Sequence, residues 1–506
     1  MNELKINRIL LWLLVISAVV RGIVAASIEL GNDEVYYWTF ALYPDWSHYD
    51  HPPMVGWLIQ LFSLNLLFDS EFFIRLASVV LMTAETYMMF RIGKEIKDAK
   101  AGLYAALLYT ASIYAFVITG VFILPDTPLN LFWLLSVWMA VKYFKAEQPR
   151  NLHLLLLGLF TGLAILSKYT GVFIWVGVAL YILIFDRKQL KRPALYLSIL
   201  ITAVCCLPIL IWNLQNDFVS FNFHSDRVSL FGKVNFGYFG TELAGEFFYN
   251  NPVNFILAII AVIAAFRGKI NMEKSALRLA LCIALPLILL FQFFSLTRPT
   301  LPHWNAPAFN MLILLVACWL RSKKPIVASL SVMAFVVLFG IVEIRTGFIP
   351  LDHHTEEDKL GRDDFTLDMY GWHQLETKFA VLREAKIQEG VMNEDDGIVA
   401  SQWFPLANLD YYVARPLGMR VMGLGKPENL HKYLWINEER GGIKQGKSYW
   451  FLTDSRYLKN PNELYHDQFK SIEPVGMITI ERGGRPAKNV FVYACKGYSA
   501  PPSNLP

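Results

Sequence analysis

Two adjacent acidic residues, Asp33 and Glu34, lie near the start of the stretch Gly31–Met54, GNDEVYYWTFALYPDWSHYDHPPM, which holds four carboxylates and two histidines but no lysine or arginine. A carboxylate pair without a local cation is available as a base or as a ligand; the plain alternative is a solvated turn at a helix end. Asp33, His48, Asp50 and His51 have a spacing that permits a His/carboxylate metal cluster. Histidines in an aromatic loop are more often simply hydrogen-bonded, so no metal and no other cofactor is expected, with a divalent ion as the lesser alternative. The aromatics Tyr36, Tyr37, Trp38, Phe40, Tyr43, Trp46 and Tyr49 would form an interfacial platform. Pro52 and Pro53 add a rigid corner before the amphipathic run Met54–Phe68, so the loop reads as packed and functional.

Outside this stretch, polar residues that could do chemistry are few. Arg75 stands in FIRLAS, Lys168 in LSKYTG between two apolar runs, Arg298 and His303 in TRPTLPHWN, and Asp126 in LPDTP. Each has an ordinary reading. Arg75 is a snorkelling arginine, Lys168 a lipid-headgroup contact, and Asp126 part of a helix start with Thr127 as N-cap and Pro128 at the first helical position.

The elements that must position these residues are set by an apolar chain. Of 506 residues, 55% are hydrophobic, 14% aromatic and 17% charged, with a mean hydropathy of +0.38. That composition belongs to a multi-spanning membrane protein rather than a soluble enzyme. The net charge of +4 is too small to imply a nucleic-acid partner. The five cysteines form no Cys-x-x-Cys pattern, and four of them lie in apolar runs. The N-terminal run lacks an Ala-x-Ala cleavage site and reads as a retained first helix.

Runs long enough to cross a bilayer, roughly 17 to 25 residues each, fall at Ile9–Ala26, Phe72–Phe90, Ala101–Phe122, Pro128–Phe144, Leu152–Leu166, Tyr169–Phe185, Ala194–Trp212, Pro252–Phe266, Leu277–Leu296, Ala306–Leu320 and Ile326–Ile344. The expectation is about eleven helices in an all-α polytopic membrane domain over 1–344, with long outer loops at 27–71 and 213–251. Alternate connections and the N-terminus carry about twenty Lys and Arg against about five on the other set, which places the N-terminus in the cytoplasm. The acidic stretch, Asp126, Lys168, Arg298 and His303 then share the outer face.

Residues 345–506 read as a soluble extracytoplasmic α/β domain. The segments DGIVAS, RVMGL, KSYWFLTD, MITIERGG and KNVFVYAC have strand patterns, and HQLETKFAVLREAKIQ has helical spacing. The aromatic-rich segment 213–251 reads as interfacial helices and a mobile lid, and the tail YSAPPSNLP as disordered.

In order, NDEVYYW, DHPPMVGW, FFIRLASVV and LPDTPLNLFWLL, with HWNAPAF later, resemble the polyprenyl-phosphate-sugar-dependent glycosyltransferases of the GT-C fold. The nearest group is glycosyltransferase family 39, which includes protein O-mannosyltransferases and bacterial enzymes that decorate lipid A. The likeness covers roughly Met1–Leu320 and implies a sugar transferase of the bacterial inner membrane. It matches the family's general base to Asp33, with Glu34 beside it as helper. It matches a phosphate-contacting arginine to Arg75 and the second acidic residue to Asp126. Lys168, Arg298 and His303 are further candidates for the departing phosphate, which needs positive charge or oriented donors beside lipid. Tyr37 belongs to the same substrate-binding set. His51 stands where some lipid A-modifying relatives have lysine, so a neutral imidazole replaces a full charge.

The resemblance implies a polyprenyl-phosphate sugar as donor, membrane lipids as surroundings, and a lipid, glycan or protein hydroxyl as acceptor. A protein O-glycosyltransferase is the near alternative. A multi-pass transporter or flippase is the rival of another class, and Glu85 is the main ionisable residue inside a span that would serve it.

Overall fold

The computed structural model describes residues 2–228 and 233–499. The expected lid thus lies partly outside the described residues, and the expected disordered tail lies outside them from residue 500 onward. The chain divides into two compact units. The first comprises Met1–Ala26 and Phe40–Val337, the second Ser27–Thr39 and Leu338–Pro506. The segment Ser27–Thr39, which the sequence places in an outer loop of the membrane domain, therefore belongs to the C-terminal unit.

Among the described residues, sixteen helices cover the apolar part. They are α1 (Glu3–Ser27), α2 (Asn32–Leu42), α3 (Met54–Phe62), α4 (Glu71–Ile96), α5 (Ala99–Thr110), α6 (Asp126–Lys145), α7 (Asn151–Ser167), α8 (Phe173–Phe185), α9 (Pro193–Cys205), α10 (Leu207–Gln215), α11 (Val219–Val228), α12 (Phe236–Tyr249), α13 (Pro252–Phe266), α14 (Lys274–Ser295), α15 (Ala306–Trp319) and α16 (Lys324–Thr346). Each of the eleven apolar runs contains helix. By length and composition α1, α4, α14 and α16 can each cross a membrane alone. The pairs α9 with α10 and α12 with α13 qualify only as bent pairs, at 42° and 103°.

The breaks have local causes. Pro208 cannot donate the hydrogen bond that would carry α9 straight into α10. The expected single helix Ala101–Phe122 stops at Thr110 and continues as a π turn, Tyr114–Ile118. The carbonyl of Ala111 at that break accepts a 2.8 Å bond from Asn251 Nδ2, so the freed backbone group stays satisfied. Helix α6 begins at Asp126 rather than after a Thr127 cap; Thr127 Oγ1 instead donates to the carbonyls of Thr119 and Phe122.

Close helix packing rests on small residues. In α7, Gly158 and Gly162 lie one turn apart against α9. Thr202 donates to Gly158 O at 2.7 Å and Ser198 to Leu154 O at 2.6 Å. A Cβ on Gly158 would sit 2.1 Å from Ser198 O, so only glycine lets these backbones approach. A polar thread crosses the bundle interior. Tyr109 donates to Glu85 at 2.5 Å, Asn130 Nδ2 donates to Glu85 at 3.0 Å, and Asn310 donates to Asn130 at 2.6 Å.

The second unit contains a five-stranded sheet in the order β2-β1-β3-β5-β4. Its strands are β1 (Gly397–Ala400), β2 (Val421–Gly423), β3 (Tyr449–Asp454), β4 (Phe469–Arg482) and β5 (Arg485–Tyr498). The first three are parallel, and β5 runs antiparallel to β3 and β4. Gly483 and Gly484, both at positive φ, form the two-residue turn of the β4–β5 hairpin. One face of the sheet buries Val399, Met422, Tyr449, Phe451 and Cys495. On the other, Phe379 of α17 (Trp372–Gln388) meets Trp450 edge-on at 5.4 Å.

Candidate active site

Within the first unit, Asp126 and Lys168 meet. Lys168 follows the last residue of α7 in extended backbone, and a 3₁₀ turn, Tyr169–Val172, reverses the chain at once. That reversal brings Gly171 so near the α7 backbone that a Cβ would lie 2.6 Å from Ala164 C. The Lys168 ammonium is thereby held 2.7 Å from Asp126 Oδ2, with the two side chains 8% and 3% exposed. Tyr114 of the π turn donates to Asp126 Oδ1 at 3.2 Å. A buried pair of this kind is costly unless both charges are satisfied, and two hydrogen bonds fix the carboxylate here. Only one of the three ammonium donors is engaged among the described residues, so Lys168 can also donate to an incoming anion.

His303 lies in the loop between α14 and α15. Burial pushes its pKa down to about 4; Asp126 opposes that shift and Lys168 adds to it. It is therefore neutral at physiological pH and can orient or hydrogen-bond a substrate but supplies no charge. Its loop is fastened to α12: Thr300 donates to Glu242 at 2.7 Å, and Asn305 donates to Glu246. Arg298 of the same loop is half-buried, with its guanidinium over the Phe294 ring at 5.9 Å.

His51 lies 6.3 Å, ring to ring, from His224. Tyr169, next to Lys168, bonds Ser220 at 2.8 Å and stacks edge-on with His224, whose Nε2 is 2.8 Å from Asp50 O. Tyr169 and His224 thus tie the turn holding Lys168 to the DHPP corner. Arg75 is fully buried in α4, donating to Ala25 O at 3.0 Å with Phe122 under its guanidinium. His48 packs on Phe40 at 3.7 Å.

Asp33, Glu34 and Tyr37 belong to the second unit. Asp33 is exposed on the first turn of α2. Glu34 is buried, and its Oε2 accepts the Gly31 amide at 2.8 Å, so it caps the turn that carries Asp33. Aromatics hold the segment in its unit. The Tyr36 ring lies 4.9 Å from Trp403, and Trp38 meets Tyr411 edge-on at 5.2 Å. Glu29 accepts the amides of Trp372 and His373 at the start of α17, where a carboxylate is favoured. Tyr37 is buried beside Tyr36 at 5.6 Å.

Tyr114, Tyr169 and His224 carry no signal in the sequence that marks them for the site. Tyr114 sits inside an apolar run and Tyr169 at the edge of another, where tyrosine is unremarkable, and His224 stands in a segment read as lid. Among the described residues the group with metal-ligand spacing is Asp352, His354 and Asp363. It includes none of the histidines and carboxylates of the Gly31–Met54 stretch. Asp352 there already accepts the Gly361 and Asp363 amides, as a turn-closing residue does.

Comparison with known proteins gives the class. The family model described as dolichyl-phosphate-mannose-protein mannosyltransferase matches residues 50–212. A lipid A galacturonosyltransferase of Rhizobium johnstonii, RgtD, is 24% identical over 398 residues, covering 76% of this chain and 80% of that one. The crystal structure of ArnT from Cupriavidus metallidurans bound to undecaprenyl phosphate superposes with a TM-score of 0.62 at 14% identity, covering 96% of this chain and 97% of ArnT. The oligosaccharyltransferase of Archaeoglobus fulgidus shares the fold with a TM-score of 0.52 at 11% identity, covering 88% and 69% of the two chains. The fold is GT-C, the fold of the membrane glycosyltransferases that the chain resembles. Within that class it resembles glycosyltransferase family 39 and the ArnT-like transferases.

Proposed function

We propose that this protein transfers a sugar from a polyprenyl-phosphate carrier to a lipid or glycan acceptor on the outer face of a bacterial inner membrane. The observation that carries the reading is the buried Lys168–Asp126 pair, a fixed ammonium with donors to spare, held in a turn tied to the DHPP corner. In this mechanism the Asp33 carboxylate takes the proton of an acceptor hydroxyl as its oxygen attacks the anomeric carbon. The bond from that carbon to the phosphate oxygen breaks, and the configuration inverts. Polyprenyl phosphate leaves as an anion, so one base suffices and no partner acid is required. This differs from glycoside hydrolysis, which needs two carboxylates.

Lys168 answers the charge on the departing phosphate, and neutral His303 orients it by a hydrogen bond. Asp126 and Tyr114 hold Lys168 in place, and Glu34 sets the turn carrying Asp33. Arg75, His51, Arg298 and Tyr37 complete the substrate-binding set. Because the leaving group departs as an anion, the proposed step calls on no metal. The binding of undecaprenyl phosphate by ArnT supports the carrier class. The basic connections support a cytoplasmic N-terminus and an extracytoplasmic second unit.

RgtD, named for lipid A, favours a lipid acceptor. The family model, described by a protein mannosyltransferase, supports protein hydroxyls as the second reading. Incubating purified protein with labelled undecaprenyl-phosphate sugars and a membrane extract tests both. Label in the glycolipid fraction is expected; label in protein alone would move the acceptor to a polypeptide, and no transfer from any donor would overturn the proposal.

A further inference from the structure

The second unit carries a cavity that the proposed chemistry leaves unused. It has a volume of about 440 Å³ and lies at the carboxyl ends of the adjacent parallel strands β1 and β3. The chain leaves β1 toward β2 on one side and leaves β3 toward β4 and β5 on the other. That is the switch point of an open parallel sheet, where such folds bind ligands. The volume falls in the range of small-molecule sites, about 300–1,000 Å³.

Its wall is built in advance. The loop through residues 358–362 is pinned by three side chains donating to its carbonyls or their neighbour. Asn489 donates to Glu357 O at 3.0 Å, Ser455 to Leu360 O at 2.5 Å, and Arg456 Nε to Gly361 O at 3.1 Å. Arg456 is consumed structurally, since it also pairs with Asp368 and lies 4.9 Å from the Tyr457 ring. Two other cations of the lining are exposed, Arg362 and Lys459, and neither side chain has a hydrogen-bond or ion-pair partner among the described residues. Lys359, paired with Glu356 at 3.3 Å, adds a third positive group, and the lining carboxylates are the exposed Asp358 and the buried Asp454. The aromatic wall is Phe404 with Tyr457, edge-to-face at 5.0 Å, and Tyr457 is 43% exposed.

Spare positive charge at the rim selects an anion, and an exposed ring braced from behind offers a flat apolar face of the kind sugar C–H groups pack on. We infer that this cavity binds a saccharide bearing a phosphate or carboxylate group. The choice of a saccharide rests on the proposed function; the choice of an anion rests on the rim alone.

The test uses the full-length protein in nanodiscs and α-D-glucose 1-phosphate as probe, with binding read by saturation-transfer NMR and titration. Saturable binding is expected, at least tenfold weaker in the double variant Arg362→Glu/Lys459→Glu and weakened also in Tyr457→Ser. All three positions are exposed, and unchanged thermal unfolding of each variant confirms an intact fold. Binding that survives the charge reversal, or no saturable binding, overturns the site. Inorganic phosphate binding as tightly as the sugar phosphate overturns the saccharide assignment. Because binding is read without turnover, its failure is separate from failure of sugar transfer, which the labelled-donor assay reads on its own.

Discussion

Replacing Lys168 by methionine strips the ammonium from a carboxylate 2.7 Å away whose side chain is 3% exposed. A buried charge deprived of its partner costs about 3–5 kcal/mol, so Lys168→Met should unfold at clearly lower temperature than wild type in the same detergent. Asp126→Asn leaves a buried lysine and should lose stability of the same order. The double variant Lys168→Met/Asp126→Asn removes both charges and should regain most of that loss, because contacting residues of one pair do not act additively. Donor binding separates a strut from a binding group. A hydrogen bond from an ammonium to a phosphate contributes about 1.5–3 kcal/mol, which is roughly a 10- to 150-fold change in Kd. The double variant should therefore be restored in stability but remain weaker by that factor for undecaprenyl phosphate. Thermal unfolding and a titration with the carrier lipid, run on all four proteins, give the answer. If the double variant recovers affinity together with stability, Lys168 is only a strut and does not bind the phosphate.

Two further outcomes follow from the same geometry. His303 titrates at about 4 in the folded protein, against about 6.5 for an ordinary histidine. The unfolded chain takes up the proton first as pH falls. Stability is therefore lost between about pH 6.5 and 4, by at most roughly 1.4 kcal/mol per pH unit from this group. His303→Asn should flatten that part of the melting profile, and an unchanged profile would show that His303 is not the group held neutral. Gly158→Ala places a methyl 2.1 Å from Ser198 O, so α7 and α9 must part. A loss of about 1–3 kcal/mol is expected from such overpacking, and an unshifted melting temperature would contradict the close-approach account of that helix pair.

The fold of the second unit was legible almost strand by strand. The segments around Gly397–Ala400, Val421–Gly423 and Tyr449–Asp454 are short apolar runs bounded by turn residues, and ERGG is a hairpin turn written in two glycines. Helix was equally legible along the apolar runs, but their continuity was not. The break after Thr110 depends on Asn251, 140 positions away, supplying a donor to Ala111 O, and no local pattern carries that information.

For the candidate site, the sequence marked residues but not their pairing. Asp126 and Lys168 stood out because charged residues between apolar runs are rare, yet their pairing joins positions 42 apart. Tyr114 was hidden because tyrosine in an apolar run signals nothing by itself. The membership of Ser27–Thr39 in the second unit escaped because it is decided by aromatic partners such as Trp403 and Tyr411, far along the chain.

Whether the exposed Asp33 carboxylate on the first turn of α2 activates the acceptor hydroxyl is read from the rate of labelled-sugar transfer from undecaprenyl phosphate in wild type and Asp33→Asn. A fall of about a hundredfold or more is expected, with binding of the carrier lipid and the melting temperature retained. Transfer at the wild-type rate in Asp33→Asn would contradict it and move the base to Glu34 or Asp126.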